Sequence, residues 1–282
     1  MRIAEALTAA TRRLTPISDT ARLDAELLMA HALGVTRSDL ILHHLAGTVP
    51  DSFAALIDRR LAHEPLAYIT GSAAFWGLDL IVSPAVLIPR GDSETLIVAA
   101  LAGAQPPARV IDLGTGSGAL LLAALHEWPR AQGLGIDRSD AALALARANA
   151  ARLGLDARAR FVAGDWCQPG WADGLGQFDL VLANPPYVET GAALAPDVAR
   201  YEPHAALFAG ADGLDDYRVI VPQLGSLLAP DGRVLIEIGW TQAQAVLDLA
   251  HHAGLAGCVH HDLANRPRAV ELHRKIAPLS PH

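Results

Sequence analysis

Four consecutive residues, Asn184, Pro185, Pro186 and Tyr187, have the side-chain types needed for chemistry on a planar amino group. They follow the apolar run Phe178–Ala183, which predicts a buried strand. Two prolines remove two backbone N–H donors and fix φ at both positions, so the strand must stop there and leave a stiff turn. A stiff turn suits a site that holds an acceptor group in one orientation.

This turn offers hydrogen-bond acceptors to an NH₂ group, whose nitrogen is a poor nucleophile when its lone pair is delocalised. The side-chain oxygen of Asn184 and the carbonyl of Pro185 can each accept one N–H, which aims the nitrogen lone pair at an electrophile. Tyr187 can pack on the planar target group. We therefore predict that Asn184, Pro185 and Tyr187 are catalytic, and that these three bind the substrate together with Pro186.

A glycine-rich segment lies upstream, between the predicted strand Arg109–Leu113 and the predicted helix Ala119–Trp128. Ligands of doubly wound sheets bind at the carboxyl ends of strands, where glycines let the backbone approach a ligand closely. The spacing also satisfies the dinucleotide-binding pattern, so the segment by itself indicates a nucleotide without naming it. The residues predicted to contact the ligand are Gly114, Thr115, Gly116, Ser117 and Gly118.

Three further side chains follow the next two predicted strands. Asp137 ends the first of them and can accept hydrogen bonds from both hydroxyls of a ribose. Enzymes that use NAD and enzymes that use S-adenosylmethionine both have such a carboxylate, so Asp137 indicates an adenosine nucleoside in general. Asp165 can bind the adenine amino group and Trp166 can stack on the ring, which favours S-adenosylmethionine.

The elements that position these residues follow a clear pattern along the chain. Residues 1–72 are predicted to be a helical domain, with one helix ended by Gly34 and another capped by Asp51. Residues 73–88 are β-rich with a central glycine and predict a hairpin connector. Strands and helices alternate through residues 89–282, which predicts a doubly wound parallel sheet of the α/β class.

Composition excludes several classes of function. The formal net charge of −8 argues against tight, nonspecific nucleic-acid binding. No stretch has the ~20 uninterrupted apolar residues of a membrane helix. Cys167 and Cys258 lack metal-ligand or redox spacing and are expected to be small buried hydrophobes in a reducing cytoplasm. The histidines include adjacent pairs that we interpret as surface residues, so no metal site is predicted.

The chain resembles the bacterial peptide chain release factor glutamine methyltransferases, which modify the glutamine of a Gly-Gly-Gln loop. The resemblance covers nearly the whole chain, and the order and spacing of its motifs make it specific. It is carried by Glu64–Gly71, Phe75–Gly77, Leu87–Arg90, Asp112–Gly118, Asn184–Tyr187, Tyr201–Pro203, Ala211–Leu214 and Glu237–Gly239. Two positions depart from the family pattern: Gly91 stands where proline is common, and Asn265 stands near a frequent glycine.

The resemblance implies a Rossmann-like class I methyltransferase sheet with a small N-terminal helical domain and a β-hairpin connector. It implies S-adenosylmethionine as cofactor, bound by Gly114–Gly118, Asp137, Trp166 and Asn184. The implied reaction places a methyl group on the side-chain nitrogen N5 of the glutamine in class-one release factors. The expected partners are release factors, with no direct nucleic acid and no membrane. The expected form is a monomer in the cytoplasm.

The main alternative is a DNA adenine-N6 methyltransferase, because such enzymes use a tetrapeptide of the same type. They flip their target base and need a cationic face that binds DNA, whereas this chain is acidic and has a single lysine, Lys275. An NAD-dependent dehydrogenase would leave the tetrapeptide unexplained. A non-catalytic interaction module would leave both the tetrapeptide and the glycine segment unexplained.

Overall fold

The computed structural model describes residues 2–103 and 105–275. The chain divides into two compact units, of which the first comprises Met1–Ser72 and Leu194–Glu202, and the second comprises Ala73–Ala193 and Pro203–His282. The short segment Leu194–Glu202 therefore groups with the N-terminal helices, although the sequence pattern places it within residues 89–282.

The helices are α1 (Ile3–Leu14), α2 (Ala21–Leu33), α3 (Arg37–Asp39), α4 (Ser52–Leu61), α5 (Leu66–Thr70), α6 (Glu94–Leu101), α7 (Ala119–Glu127), α8 (Asp140–Arg152), α9 (Pro196–Tyr201), α10 (Asp215–Leu227) and α11 (Ala243–His252). The strands are β1 (Ser72–Phe75), β2 (Leu78–Ile81), β3 (Arg109–Leu113), β4 (Gln132–Asp137), β5 (Ala159–Ala163), β6 (Phe178–Ala183), β7 (Leu228–Glu237), β8 (Leu255–His261) and β9 (Pro267–Arg274). A π-helical turn, Leu40–His44, continues α3, and single 3₁₀ turns lie at Gly91–Ser93 and His204–Ala206. The sequence pattern does not predict helix α9.

The first unit contains α1 to α5 and α9, and its apolar core is formed mainly by α1, α2, α4 and α5. Helix α1 buries Ile3, Leu7 and Leu14 along one face, which is the spacing of an amphipathic helix. Gly34 ends α2 in the left-handed conformation at φ 68° and its N–H bonds to the Ala30 carbonyl, which confirms the predicted stop. The predicted cap at Asp51 is wrong, because among the described residues its side chain accepts no bond from α4.

A buried ion pair joins two helices of the first unit. The Nε of Arg60 on α4 donates to Oδ2 of Asp24 on α2 at 2.9 Å, and both residues are buried. The hydroxyls of Ser18 and Thr20 donate to the same carboxylate at 2.9 Å each, so its lone pairs are well used. Such a pair fixes the packing of α2 against α4, and removal of one partner would leave an uncompensated buried charge.

The second unit contains a seven-stranded sheet with the order β5-β4-β3-β6-β7-β9-β8. Strands β3 to β7 pair in parallel, as predicted, with Ile111 of β3 beside Leu134 of β4 and Val181 of β6. The strand order reverses between β3 and β6, because β4 and β5 continue to one side of β3 while β6 starts the other. Ligands bind at such switch points, outside the carboxyl ends of the strands.

One edge of the sheet is antiparallel, so the expectation of a wholly parallel sheet is wrong there. Strand β9 runs antiparallel to both β7 and β8. The reason is the short connection between β8 and β9, since a parallel crossover needs a dozen or more residues and these two strands are joined by a tight turn. Asn265 in this turn adopts the left-handed conformation, with φ 57°, so it replaces glycine without loss of the turn.

The hairpin β1–β2 forms as predicted and, from Ala73 on, belongs to the second unit. Its two-residue turn has positive φ at Trp76 and Gly77, the geometry that matches the twist of paired strands. The indole N–H of Trp76 donates to Glu127 at 2.7 Å. The buried amide of Asn149 on α8 bonds to both the N–H and the carbonyl of Ile81, and donates to the carbonyl of Ser117. The hairpin is thereby held beside the glycine segment.

A helix that crosses a bilayer needs about 20 predominantly apolar residues. Within residues 2–103 and 105–275, no helix has enough length and apolar character to span a membrane.

Replacement of Arg60 by Ala should destabilise the first unit by about 3–5 kcal/mol, because the Asp24 carboxylate would remain buried without its cation. Denaturant unfolding followed by circular dichroism measures this loss. Arg13→Ala is the matched control, since Arg13 pairs with Asp58 at the surface, where both side chains are exposed. An equal loss of stability in the two variants would contradict a special role for the buried pair.

Candidate functional site

A cavity opens at the carboxyl ends of β3, β4, β5 and β6, where the strand order reverses. Its walls bring together most of the residues predicted for the ligand site. Those that line it are Gly114, Thr115, Gly116, Ser117, Asp137, Asp165, Trp166, Asn184 and Pro186. Among the residues that the structure describes, Gly118 and Pro185 lie outside this lining, and Tyr187 lines a second, smaller cavity.

Asp137 ends β4 with its carboxylate held by two backbone bonds. The N–H of Gly116 donates to Oδ2 and the N–H of Ser139 donates to Oδ1, each at 2.9 Å. Ser139 also caps α8, as predicted, by accepting a bond from the N–H of Ala142. A carboxylate has about four lone-pair sites, so about two sites remain to accept hydrogen bonds from the hydroxyl groups of a ligand in the cavity. The backbone bonds fix the direction in which those sites point.

Trp166 and Gly114 form one wall of the cavity. The indole N–H of Trp166 donates to Asp216 at 2.7 Å, which fixes the plane of the ring. A Cβ at position 114 would lie 3.1 Å from the ring, and the φ of +74° disfavours any side chain there. Glycine at this position therefore lets the aromatic ring and the loop approach closely. Next to the ring, Asp165 accepts a bond from the N–H of Cys167 at 2.9 Å.

Asp112 is the buried carboxyl group of the site. Its Oδ2 accepts the hydroxyl of Thr115 at 2.7 Å, while Oδ1 has no hydrogen-bond partner in the described part of the chain. Burial raises the pKa of Asp112 to about 7, an effect opposed by the Thr115 hydroxyl and increased by the nearby charge of Asp137. The sequence pattern includes Asp112 only as the start of the glycine segment and did not predict a role for it.

The tetrapeptide follows β6, and its four residues differ in their burial. Pro185 and Pro186 are buried, and Asn184 and Tyr187 are half-buried. The side-chain NH₂ of Asn184 donates to the hydroxyl oxygen of Ser93 at 3.2 Å, which leaves the Asn184 carbonyl oxygen for another donor. Asn184 lines both cavities together with Leu87 and Ala206, and it is the polar side chain of these three.

The second cavity lies beside the first and is lined by Tyr187 and by a buried carboxyl group. The Tyr187 hydroxyl donates to Oε1 of Glu237 at 3.1 Å, and burial raises the pKa of the Tyr187 hydroxyl above its ordinary value. Glu237 is the last residue of β7, and the register of β6 and β7 places it beside the start of the tetrapeptide. The remaining residues of this lining are Leu87, Arg90, Val188, Ala206 and Leu207.

The side chain of a buried glutamine hydrogen-bonds to the backbone of the tetrapeptide. Gln242 donates to the carbonyls of Tyr187 and Gly213 at 3.1 and 3.2 Å, and accepts the N–H of Gly239 at 2.9 Å. A Cβ on Gly213 would lie 2.3 Å from the Tyr187 carbonyl oxygen, so this position requires glycine. Sequence reasoning missed Ser93 and Gln242. The segments around Gly213 and Glu237 are indicated by the family resemblance and by no other feature of the sequence.

The residues of the first cavity fit S-adenosylmethionine. Asp137 presents lone pairs suited to the ribose hydroxyls, and Trp166 presents an aromatic face. Asp112 adds a buried oxygen without a partner among the described residues. No basic side chain lies in the glycine segment.

Comparison with known proteins gives the class and then the family. Residues 105–270 match the family model of a methyltransferase domain. A methyltransferase crystal structure from Pyrococcus furiosus shares the fold, with a TM-score of 0.53 at 16% identity, and the match covers 72% of this chain and 92% of that chain. The fold and the cavity at its switch point define a class I methyltransferase that uses S-adenosylmethionine.

The family is shown by closer relatives. Residues 5–71 match the model described as the PrmC N-terminal domain. The release factor glutamine methyltransferase of Moorella thermoacetica is 44% identical, and the alignment covers 98% of this chain and 99% of that protein. That of Rhodospirillum rubrum is 42% identical over 92% of this chain and 81% of the relative. This chain belongs to the release factor glutamine methyltransferase family.

The cysteines differ from their expected environment. Both Cys167 and Cys258 are exposed, so the expectation that they are buried hydrophobes is wrong. Cys258 lies on β8, opposite Glu271 of β9, and His260 lies on the same face. These three groups approach within 4.8 Å of one another, but Glu271 already pairs with His260 at 2.8 Å and with Arg233 at 3.5 Å. We interpret the cluster as a surface ion-pair network.

The raised pKa of Asp112 has a consequence for stability. The pKa rises from 3.8 to about 7 on folding, so between these values the unfolded chain releases a proton that the folded chain keeps. The stabilising contribution is complete at acidic pH and is lost as the pH rises through 7. Asp112→Asn does not ionise, so the Tm difference, variant minus wild type, should increase by about 3 °C or more between pH 5 and pH 8.

Calorimetry at several pH values measures this difference. Asp156→Asn is the control, because Asp156 is exposed. A Tm difference for Asp112→Asn that stays constant across the pH range would show that this carboxyl group does not keep its proton in the folded state.

Proposed function

We propose that this enzyme transfers a methyl group from S-adenosylmethionine to the side-chain nitrogen N5 of the glutamine in the Gly-Gly-Gln loop of class-one release factors. The observation that carries the proposal is the position of Asn184, which lines both cavities. A methyl donor in the first cavity and an acceptor amide in the second would meet at this residue. The named relatives from Moorella thermoacetica and Rhodospirillum rubrum support release factors as the substrate.

The cofactor contacts in this proposal come from the carboxyl ends of β3, β4 and β5. Asp137 accepts the ribose hydroxyls with the lone pairs that its two backbone bonds leave free. Trp166 stacks against the adenine, and Asp165 accepts its amino group. The backbone of Gly114–Gly118 lies along the methionine part. S-adenosylmethionine supplies the electrophilic methyl group, and the protein supplies alignment.

The acceptor amide is oriented by two oxygens of the tetrapeptide. The Ser93 hydroxyl oxygen accepts a hydrogen bond from the Asn184 side-chain NH₂, so the Asn184 oxygen is left to accept one N–H of the target. The Pro185 carbonyl accepts the other N–H, because two successive prolines hold the backbone of this turn rigid. Tyr187 packs on the planar amide. These contacts strengthen as the nitrogen becomes positive, so they act mainly in the transition state. As the N–C bond forms, the sulfonium C–S bond breaks and S-adenosylhomocysteine is released, and the methylated nitrogen, now acidic, loses one proton to solvent.

The test of the proposal is a methyl-transfer assay with labelled cofactor that offers a purified release factor and duplex DNA side by side. We expect label in the release factor, at the glutamine of the loop, located by peptide mass spectrometry. Asn184→Ala should lower kcat by about 10²–10³-fold, by analogy with the deletion of one oxyanion-hole donor. Label confined to DNA would instead support the adenine-N6 alternative and refute the proposal.

We propose that the first unit recognises the release factor. A glutamine side chain offers too few contacts to distinguish one protein from another, so specificity must come from contacts far from the reacting nitrogen. Among the described residues, those that line the two cavities all belong to the second unit. The first unit exposes large apolar side chains at Leu23, Ile41 and Leu42, of which Leu42 is 70% exposed and offers an apolar contact for a protein partner.

Leu42→Asp should raise the KM for the release factor by about tenfold, the effect of one interface residue worth 1.4 kcal/mol, and leave the Kd for S-adenosylhomocysteine unchanged. The matched control is Leu263→Asp, which places the same charge at another exposed leucine, in the second unit. Steady-state kinetics and calorimetry give the two constants. Equal KM values for the two variants would remove Leu42 from the recognition surface.

We further propose that the enzyme works as a monomer in the cytoplasm, without a metal and without direct contact to nucleic acid. Translation termination takes place in the cytoplasm, where release factors are found. The net charge of −8 supports a protein substrate over a nucleic acid.

A further inference from the structure

Glu237 is a buried carboxyl group on the wall of the acceptor cavity, and the mechanism above does not use it. It is 1% exposed and lies at the carboxyl end of β7. Its backbone is fixed, because the buried hydroxyl of Tyr217 donates to the Glu237 carbonyl at 2.8 Å. Its side-chain Oε2 has no hydrogen-bond partner in the described chain. The carboxyl group is therefore fixed at the cavity wall, and one of its two oxygens can accept a further hydrogen bond.

Burial of a carboxyl group needs a reason, since an apolar side chain of similar volume is often neutral or stabilising at such a position. No cation bonds directly to Glu237 among the described residues, because Arg268 pairs instead with Asp92 at 3.0 Å and Asp262 at 3.3 Å. Glu237 thus carries a cost in stability that no ion pair offsets. Buried carboxyl groups that lack an ion-pair partner are characteristic of functional sites.

Two hydroxyl groups of the acceptor site face this one carboxyl group. The Tyr187 hydroxyl donates to Oε1 at 3.1 Å. The Ser93 hydroxyl oxygen already accepts a bond from Asn184, so its own proton needs an acceptor, and Glu237 lies beside it. Glu237 is therefore linked to both side chains that contact the acceptor amide in the proposed mechanism, directly to Tyr187 and through Ser93 to Asn184.

We propose that Glu237 is the positioning residue of the acceptor site: it orients Tyr187 and Ser93, and through Ser93 it sets the direction of the Asn184 amide. The inference rests on the proposed function only for the nature of the acceptor. With both hydroxyls held, the Asn184 oxygen and the Tyr187 ring are in place before the amide arrives. Preorganisation of this kind lowers the barrier to transfer without a change in cofactor affinity.

The charge of Glu237 gives the inference a distinctive signature. Burial raises its pKa to about 7, while the neighbouring Ser93 hydroxyl, the hydrogen bond from Tyr187 and the charge of Arg268 oppose that rise, and Asp92 adds to it. The other titratable group packed on it is Tyr217, which is buried and neutral. Above pH 7 the carboxylate is ionised and is a stronger acceptor for the two hydroxyls. The wild-type kcat should therefore rise between pH 6 and pH 8.

The experiment compares Glu237→Gln and Glu237→Ala with the wild type in the full-length protein. Glutamine keeps an oxygen for the Tyr187 hydroxyl but cannot ionise, so kcat should fall about tenfold, the loss of one charged hydrogen bond, and its rise with pH should disappear. Alanine leaves both hydroxyls without an acceptor, so kcat should fall further. In both variants the Kd for S-adenosylhomocysteine should stay within about twofold of the wild-type value.

Tyr187→Phe is the matched control, because it keeps the ring and removes only the hydroxyl that bonds to Glu237. It should reproduce part of the loss in kcat, and combination with Glu237→Gln should cost less than the sum of the two changes. Additive losses, or a wild-type pH profile in Glu237→Gln, would overturn the inference. A parallel loss of cofactor affinity and kcat would also overturn it, because that pattern indicates a purely structural role.

The acceptor is chosen so that this test and the test of the proposed function fail separately. The wild type is first offered the release factor and duplex DNA, and the variants are then assayed on whichever acceptor it methylates. Absence of release factor methylation refutes the proposed function, whereas the inference about Glu237 is decided by the pH profile on the acceptor that is used.

Discussion

Strands β3 and β6 lie side by side at the centre of the sheet, yet their following segments lead to opposite faces. Helix α7, which follows β3, packs in the core with β2 and α8, whereas α10, which comes after β6, packs in the other core with α11. The two connections therefore separate at the carboxyl ends of the strands and leave a gap. The glycine segment, Asp137 and the tetrapeptide all border this gap because the sheet places their strand ends together.

The carboxyl groups at this edge of the sheet are of two kinds, which differ in burial and in hydrogen-bond partners. Asp137 has its carboxylate oriented by backbone N–H groups. Asp112 and Glu237 are buried, each has an oxygen without a partner among the described residues, and each has a pKa raised to about 7. The first arrangement suits a fixed contact to a ligand. The second arrangement gives carboxyl groups whose charge changes near neutral pH. Their burial costs stability, which the burial of apolar side chains in the two large cores offsets.

Much of the fold could be predicted from the sequence because its signals are local. The strands Arg109–Leu113 and Phe178–Ala183 have the predicted bounds, since each is a short apolar run ended by glycine or proline. Ser139 caps α8 for the same kind of reason, as its side chain competes for backbone groups only a few residues away. The local pattern failed at the antiparallel edge, at the Asp51 cap and at the exposed cysteines, where packing of distant segments decides the outcome.

The sequence by itself determined the chemistry available at the tetrapeptide and the glycine segment, because side-chain type, proline stiffness and glycine freedom are properties of single residues. Only the tertiary structure decided which partners complete the acceptor site. Ser93 lies 91 residues from Asn184, and Glu237 lies 50 residues from Tyr187. A hydrogen bond depends on distances of a few ångströms, and such distances between remote residues arise only when the strands β6 and β7 pair and the sheet is assembled.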